Sequence, residues 1–148
     1  SDVVLVIDKS GSMSGNKMTN TKLAAKEFVD KLLLADKATK IAVVSFDQNA
    51  HINANFTDYD GRQGLKNTID GIGANGGTNI QAGIRQAQIL LDASDAENKF
   101  IVLLGDGEPT YSYRVTDASG ITLSSHNSWS TSPSINYFIF ELQISNSV

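Results

Sequence analysis

Val3-Val4-Leu5-Val6-Ile7-Asp8 is an unbroken apolar run that ends on a carboxylate, and Lys9-Ser10-Gly11-Ser12-Met13-Ser14-Gly15 follows it as a Ser/Gly-rich stretch. A short run of β-branched and aliphatic residues bounded by turn formers reads as a strand buried on both faces, followed by a loop. Working outward, Met18 to about Ala35 is helical in pattern. Leu23, Ala24, Phe28, Val29, Leu32 and Leu33 are expected inward there, with Lys26/Asp30 and Glu27/Lys31 as outward pairs. Ile41 to Phe46 reads as a second buried strand, and His51 to Phe56 alternates as an edge strand does. Arg62 to Ile72 is a short helix ended by glycines, and Asn75-Gly76-Gly77 is a loop. Thr78-Asn79-Ile80-Gln81 opens a helix to about Ala93, with Ile80, Ile84, Ala87 and Leu91 on one face. Lys99 to Leu104 is the third apolar strand, and it stops at Gly105-Asp106-Gly107. Apolar strands alternating with helices predict an α/β fold: a doubly wound, mostly parallel sheet with helices on both faces. Its functional crevice is expected at the carboxyl ends of the strands, where the strand order reverses.

Composition narrows the chemistry. The chain has 148 residues, 41% hydrophobic and 19% charged, with a net charge of −4 and no cysteine. Thiolate nucleophiles, iron–sulfur clusters and cysteine-held zinc are therefore excluded. No Lys/Arg cluster offers a footprint for a phosphate backbone, so nucleic acid is not an expected partner. The Val3–Ile7 run is far too short to span a bilayer, and membrane insertion is not expected. After Thr110 the composition shifts: only Arg114, Asp117 and Glu141 are charged and serine is frequent. Tyr113 to Ser125 is expected to form a hairpin turning at Ala118-Ser119-Gly120, and Tyr137 to Ile144 an amphipathic strand. The division expected is a core over residues 1–113 and a Ser-rich, β-hairpin-like arm over 114–148.

The residues that carry chemistry are Asp8, Ser10 and Ser12 in the first crevice loop, Thr78 at a helix start and Asp106 after the third apolar strand. Two carboxylates and three hydroxyls on loops at one crevice make an all-oxygen set, suited to magnesium, manganese or calcium rather than zinc or copper. The Asp-x-Ser-x-Ser alternation lets side chains on one side of a short turn point at one ion, while Gly11 keeps the backbone out of the way. So few charges leave the ion under-neutralised, which favours an anionic ligand such as a carboxylate at an open position. Each piece also has a plain structural role: Asp-x-Ser-x-Ser as turn chemistry, Thr78 as a helix N-cap with Gln81 completing a capping box, and Asp106-Gly107 as a turn.

Val4 to Met13, Gly76-Gly77-Thr78-Asn79 and Leu103 to Thr110 together resemble the first-strand, threonine and aspartate loops of the von Willebrand factor type A family, over about residues 2–110. The resemblance implies a metal-ion-dependent adhesion site. In it Ser10, Ser12 and Thr78 supply hydroxyls, Asp8 and Asp106 often act through water, and magnesium is the first expectation. It implies a protein ligand offering a carboxylate, extracellular matrix among the candidates, and adhesion or assembly without catalysis. The stretch Asp106-Gly107-Glu108-Pro109-Thr110-Tyr111-Ser112-Tyr113 is most similar to pilus tip adhesins, whose domain is interrupted by an inserted arm after such a stretch. That likeness implies an extracellular, cell-surface setting, an arm starting after residue 110 and a domain continuing past the chain's end. A sheet ending at the third apolar strand is then expected to leave an apolar edge unpaired.

Other readings fit less well. A haloacid-dehalogenase-like phosphatase also uses an aspartate after its first strand and a later Gly-Asp-Gly. Its acid/base aspartate two residues on is here Ser10, so the leaving group lacks a proton donor. Gly15-Asn16-Lys17-Met18 breaks a P-loop, and Met13 stands where a nucleophile-elbow serine belongs. His51 and His126 read as solvated structural residues, and Trp129 as packing for the arm. An intracellular assembly module using the same metal site stays open beside adhesion.

Overall fold

The computed structural model describes residues 1–105 throughout and, beyond them, the backbone of three strands. The elements in order are β1 (Asp2–Asp8), α1 (Asn16–Ala35), β2 (Lys40–Phe46), β3 (Ala50–Thr57), α2 (Arg62–Asp70), α3 (Ile80–Asp92), β4 (Lys99–Gly105), β5 (Val115–Thr116), β6 (Thr122–Ser124) and β7 (Phe138–Ile144). The main sheet runs β3-β2-β1-β4-β7. β1 pairs in parallel with both β2 and β4, so the order reverses on either side of β1 and opens the crevice there.

Alternation along the buried strands assigns the two faces. Val3, Leu5 and Ile7 join Ile41, Val43, Val102 and Leu104 beneath Met18, Ala25, Val29 and Leu33 of α1 and Leu65 and Ile69 of α2. Val4 and Val6 join Ala42, Val44, Phe46, Ile101 and Leu103 beneath Ala87 and Leu91 of α3. The sheet is thus covered on both sides, as expected from strands with no polar face. α3 approaches closely because Gly83 has no side chain: a Cβ there would lie 2.6 Å from Phe46 Cδ1 and 2.9 Å from Val6 Cγ1.

Several sequence expectations change in detail. The buried stripe of α1 is Met18, Thr21, Ala25, Val29 and Leu33, whereas Leu23 is 57% exposed and Ala24 also faces solvent. Two apolar stripes compete on that helix, and packing against the sheet and α2 settles which one is buried. The Glu27–Lys31 pair forms at 2.7 Å, but Lys26 reaches Asp70 at 2.7 Å and Asp30 accepts from Lys66 at 2.8 Å. Those two contacts tie α1 to α2, which a one-helix reading has no means to see. Helix α3 begins at Ile80, so Asn79 and not Thr78 is its N-cap, with Asn79 Oδ1 accepting from the Ala82 amide at 3.1 Å. Ile80 and Ile84 are half-buried at the border of the α3 core.

The expected open edge is also corrected, because β7 pairs antiparallel along all of β4, from Lys99↔Ile144 to Gly105↔Phe138. An unpaired apolar edge is an aggregation hazard, and a returning strand removes it. β5 and β6 pair as the expected hairpin, with Val115 opposite Ser124.

Candidate metal centre

The loop after β1 carries the first three candidate residues. Asp8 is fully buried at the strand end, and its Oδ1 accepts the Ser10 amide at 2.8 Å. That contact folds the chain back, so Ser10 is buried while Ser12, in a short 3-10 turn over Gly11–Met13, faces solvent. The two hydroxyls meet, with Ser10 Oγ 3.0 Å from Ser12 Oγ. Met13 plugs the turn into the α1-side core.

The loop before α3 is stitched to this one through backbone. The Gly11 amide donates to Gly76 O at 2.9 Å, and the Asn75 amide donates to Lys9 O at 2.8 Å. Glycine favours the close approach on both sides of the first contact. A Cβ on Gly11 would sit 3.3 Å from Gly76 O, and Gly76 holds a φ of +80°. Thr78, buried at 2% exposure, follows directly. β4 delivers the third loop: a Cβ on Gly105 would fall 3.0 Å from Asp8 Cβ and 3.2 Å from Asp8 Oδ2. The chain therefore leaves β4 against the Asp8 carboxylate, and Asp106 is the next residue, itself outside the described residues.

The donor set fits a hard divalent cation. The Asp8, Ser10 and Ser12 oxygens lie together in one strand-end turn, held against the segment that leads to Thr78, and oxygen is what magnesium, manganese and calcium take. Among the described residues there is no group of three or more His, Asp or Glu side chains that could hold a metal ion.

A residue not singled out by sequence reading underlies the site. Asp47, directly after β2, is buried, and its Oδ1 accepts from the Asn49 amide at 2.8 Å and lies 3.2 Å from His51 Nε2. Its Oδ2 meets Lys9 Nζ at 3.3 Å, and its carbonyl accepts the Asn79 amide at 2.7 Å. Burial by itself pushes the Asp47 carboxyl upward, but the Asn49 amide, His51 and Lys9 together hold it below the usual carboxylate range. Gln48 adds to the same seam, with Oε1 accepting the Gly77 amide at 3.0 Å. The available signal was positional: Asp47 follows an apolar parallel strand just as Asp8 ends one. His51, expected to be solvated, is exposed yet tethered to Asp47. His126 and Trp129 lie outside the described residues.

A doubly wound sheet whose Asp-x-Ser-x-Ser loop and threonine loop join at the switch point places the chain among the von Willebrand-type α/β domains. Residues 2–127 match the von Willebrand factor type A domain, and the chain belongs to that family. It is 34% identical over 124 residues to the minor fimbrium subunit Mfa5 of Porphyromonas gingivalis, covering 80% of this chain and 10% of that protein. A crystal structure of three N-terminal domains of that type V pili tip protein superposes with a TM-score of 0.71, 33% identity and coverage of 79% of this chain and 21% of the other. The PilB minor pilin of Streptococcus sanguinis gives a TM-score of 0.70 at 26% identity, covering 80% and 32%. The human inter-alpha-trypsin inhibitor heavy chain H4 is 34% identical over 116 residues, covering 74% of this chain and 12% of its own length. The chain thus spans about a tenth of the length of these two curated relatives. Among the described residues no helix is long and apolar enough to cross a membrane.

Proposed function

We propose that this domain is an adhesion module that holds a divalent cation, magnesium first and manganese or calcium next, and through it grips a carboxylate on a protein partner. Asp8, Ser10, Ser12, Thr78 and Asp106 are the residues assigned to the ion, with Ser10, Ser12 and Thr78 as hydroxyl donors. The observation that carries the reading is the seam between the first and second loops. The Gly11–Gly76 and Asn75–Lys9 backbone contacts hold the Asp8/Ser10/Ser12 turn against the segment leading to Thr78, at the point where the strand order reverses. A preorganised oxygen set of low total charge leaves a bound cation with charge to share, and an external carboxylate supplies it.

The proposed role is binding rather than catalysis. Ser10 occupies the position at which a phosphatase would need its second carboxylate, so proton delivery to a leaving group has no donor there. Similarity to pilus tip proteins supports a place at the cell surface, with host or matrix proteins as partners. Residues 114–148 are proposed as an arm appended to the core of residues 1–113.

The test is a calorimetric titration of magnesium and of manganese into metal-stripped protein, beside Asp8→Asn. Asparagine keeps an oxygen for the Ser10 amide while removing the charge. One binding site in the native chain, lost in the variant, is expected. No heat and no site from a native chain that circular dichroism shows to be folded would overturn the reading.

A further inference from the structure

Asp47 touches two of the segments that the cation site depends on, through Lys9 of the first loop and Asn79 of the second. Its Oδ2 meets the ammonium of Lys9, the residue lying between Asp8 and Ser10 in the sequence. Its Oδ1 is occupied by the Asn49 amide and faces His51 Nε2. Its backbone carbonyl receives the Asn79 amide, next to Thr78, and its own amide donates to Asn49 O at 2.9 Å. One residue at the end of β2 therefore links the β1 loop and the β2–β3 turn through its carboxylate and the start of α3 through its backbone carbonyl. We infer that Asp47 is a positioning residue for the cation centre, acting through Lys9: it neutralises and holds down an ammonium that would otherwise oppose the ion. This rests on the cation reading above.

The physical argument concerns charge placed beside charge. A lysine flanked in sequence by two cation ligands carries its ammonium on a flexible stem rooted beside the ion, and an ammonium left without a partner there repels the ion with little screening in a partly buried setting. Lys9 is only 17% exposed along its side chain, and the Asp47 side chain only 8%. A buried carboxylate fixed by a backbone amide is a rigid partner that keeps the ammonium turned toward β2. Groups that orient the ligands of a metal typically matter by about 10–100-fold in affinity when removed.

Asp47→Asn separates the charge from the scaffold. Asparagine still offers one oxygen to the Asn49 amide, so the turn keeps its contact while Lys9 loses its counter-charge. Manganese titration into metal-stripped native protein, Asp8→Asn, Asp47→Asn, Lys9→Met and the Asp47→Asn/Lys9→Met double variant tests the inference. The expected result is affinity about 10–100-fold weaker in Asp47→Asn, recovered to within a few-fold of native in the double variant. A residue that merely braced the fold would show no such rescue, since removing Lys9 as well takes away more packing. If the native chain binds manganese, Asp8→Asn does not, and Asp47→Asn binds as the native chain does, the inference is overturned while the cation reading stands. If the folded native chain binds none, both fall. Should Asp47→Asn not fold, Lys9→Met decides: binding at native affinity or tighter supports the inference, and a loss of more than about 10-fold overturns it.

Discussion

The two ends of the central strands are made by the same alternating apolar code and end in opposite chemistry. At the amino ends, Val3, Phe28, Leu32, Phe100 and Val102 line an open apolar hollow of about 330 Å³, with Ser1, Asp36 and Thr39 also in its lining. At the carboxyl ends, Asp8, Ser10, Asp47, Thr78 and Asn79 are all buried, and backbone amides from one loop meet carbonyls of the next. Burial at the first end is a matter of apolar area and needs no partner of fixed geometry. Burial at the second end requires a hydrogen bond for each polar group, and so fixes where every loop lies. A site that must hold oxygens at set positions is therefore built at the end whose polar groups constrain one another.

The largest effect expected on this contrast is one that breaks both ends together. Leu5 is fully buried at the middle of β1, and Leu5→Ala is expected to cost about 2–5 kcal/mol. Urea unfolding should show a lower midpoint with an unchanged slope, and a fully stable variant would mean that β1 is not the axis of the core. Next comes the approach of α3. Gly83→Val must displace Phe46 and Val6, at an expected cost of about 1–3 kcal/mol. By contrast Gly73, where a Cβ would meet nothing within 4 Å, should accept alanine with a change under about 1 kcal/mol. Thermal melts of the two variants check the difference.

A smaller effect separates neighbours at the crevice. Asn79→Ala removes the cap of α3 and should cost about 1 kcal/mol of stability, read by melting in the absence of metal. Thr78→Ala, one residue earlier, should lose more in the cation titration than in that melt. The reverse ranking would return the capping role to Thr78. The smallest effect concerns acid. Because the Asp47 carboxyl is held below its ordinary range in the folded chain, it contributes stability above that range, and the contribution is lost as pH falls through its folded value. Asp47→Asn should therefore flatten the acid limb of a stability–pH curve measured without metal, and an unchanged limb would assign the acid sensitivity to other carboxylates.

Much of this was legible in the chain. Short, largely aliphatic runs at Val3–Ile7, Ile41–Phe46 and Lys99–Leu104, with no polar face and bounded by turn formers, read as strands covered on both faces, and the covering helices followed from the spacing between them. Asp8 and Asp106 stood out as candidate donors because residues just past parallel strands share one crevice, whereas Thr78 stood out as a polar residue at a helix start. Helix phase was less so: Leu23 and Leu34 are as apolar as Leu33, yet both are 57% exposed. Nothing within α1 distinguishes the stripe that meets the sheet. The α3 cap moved by one residue because Thr78 and Asn79 are both good capping residues, and only the path of the loop from Gly76 chooses between them.

The sequence by itself determined the local quantities: which runs bury, where they stop, and which oxygen-bearing residues stand at the stops. Periodicity and turn chemistry act over a few residues, so a linear reading can see them. Tertiary structure alone decided that β7 returns to pair with β4, that Lys26 and Asp30 serve α2, and that Asp47 joins Lys9 to Asn79. Each of those contacts links residues far apart in the chain, and its partner is chosen by the sheet order, which brings distant strand ends within reach of one another.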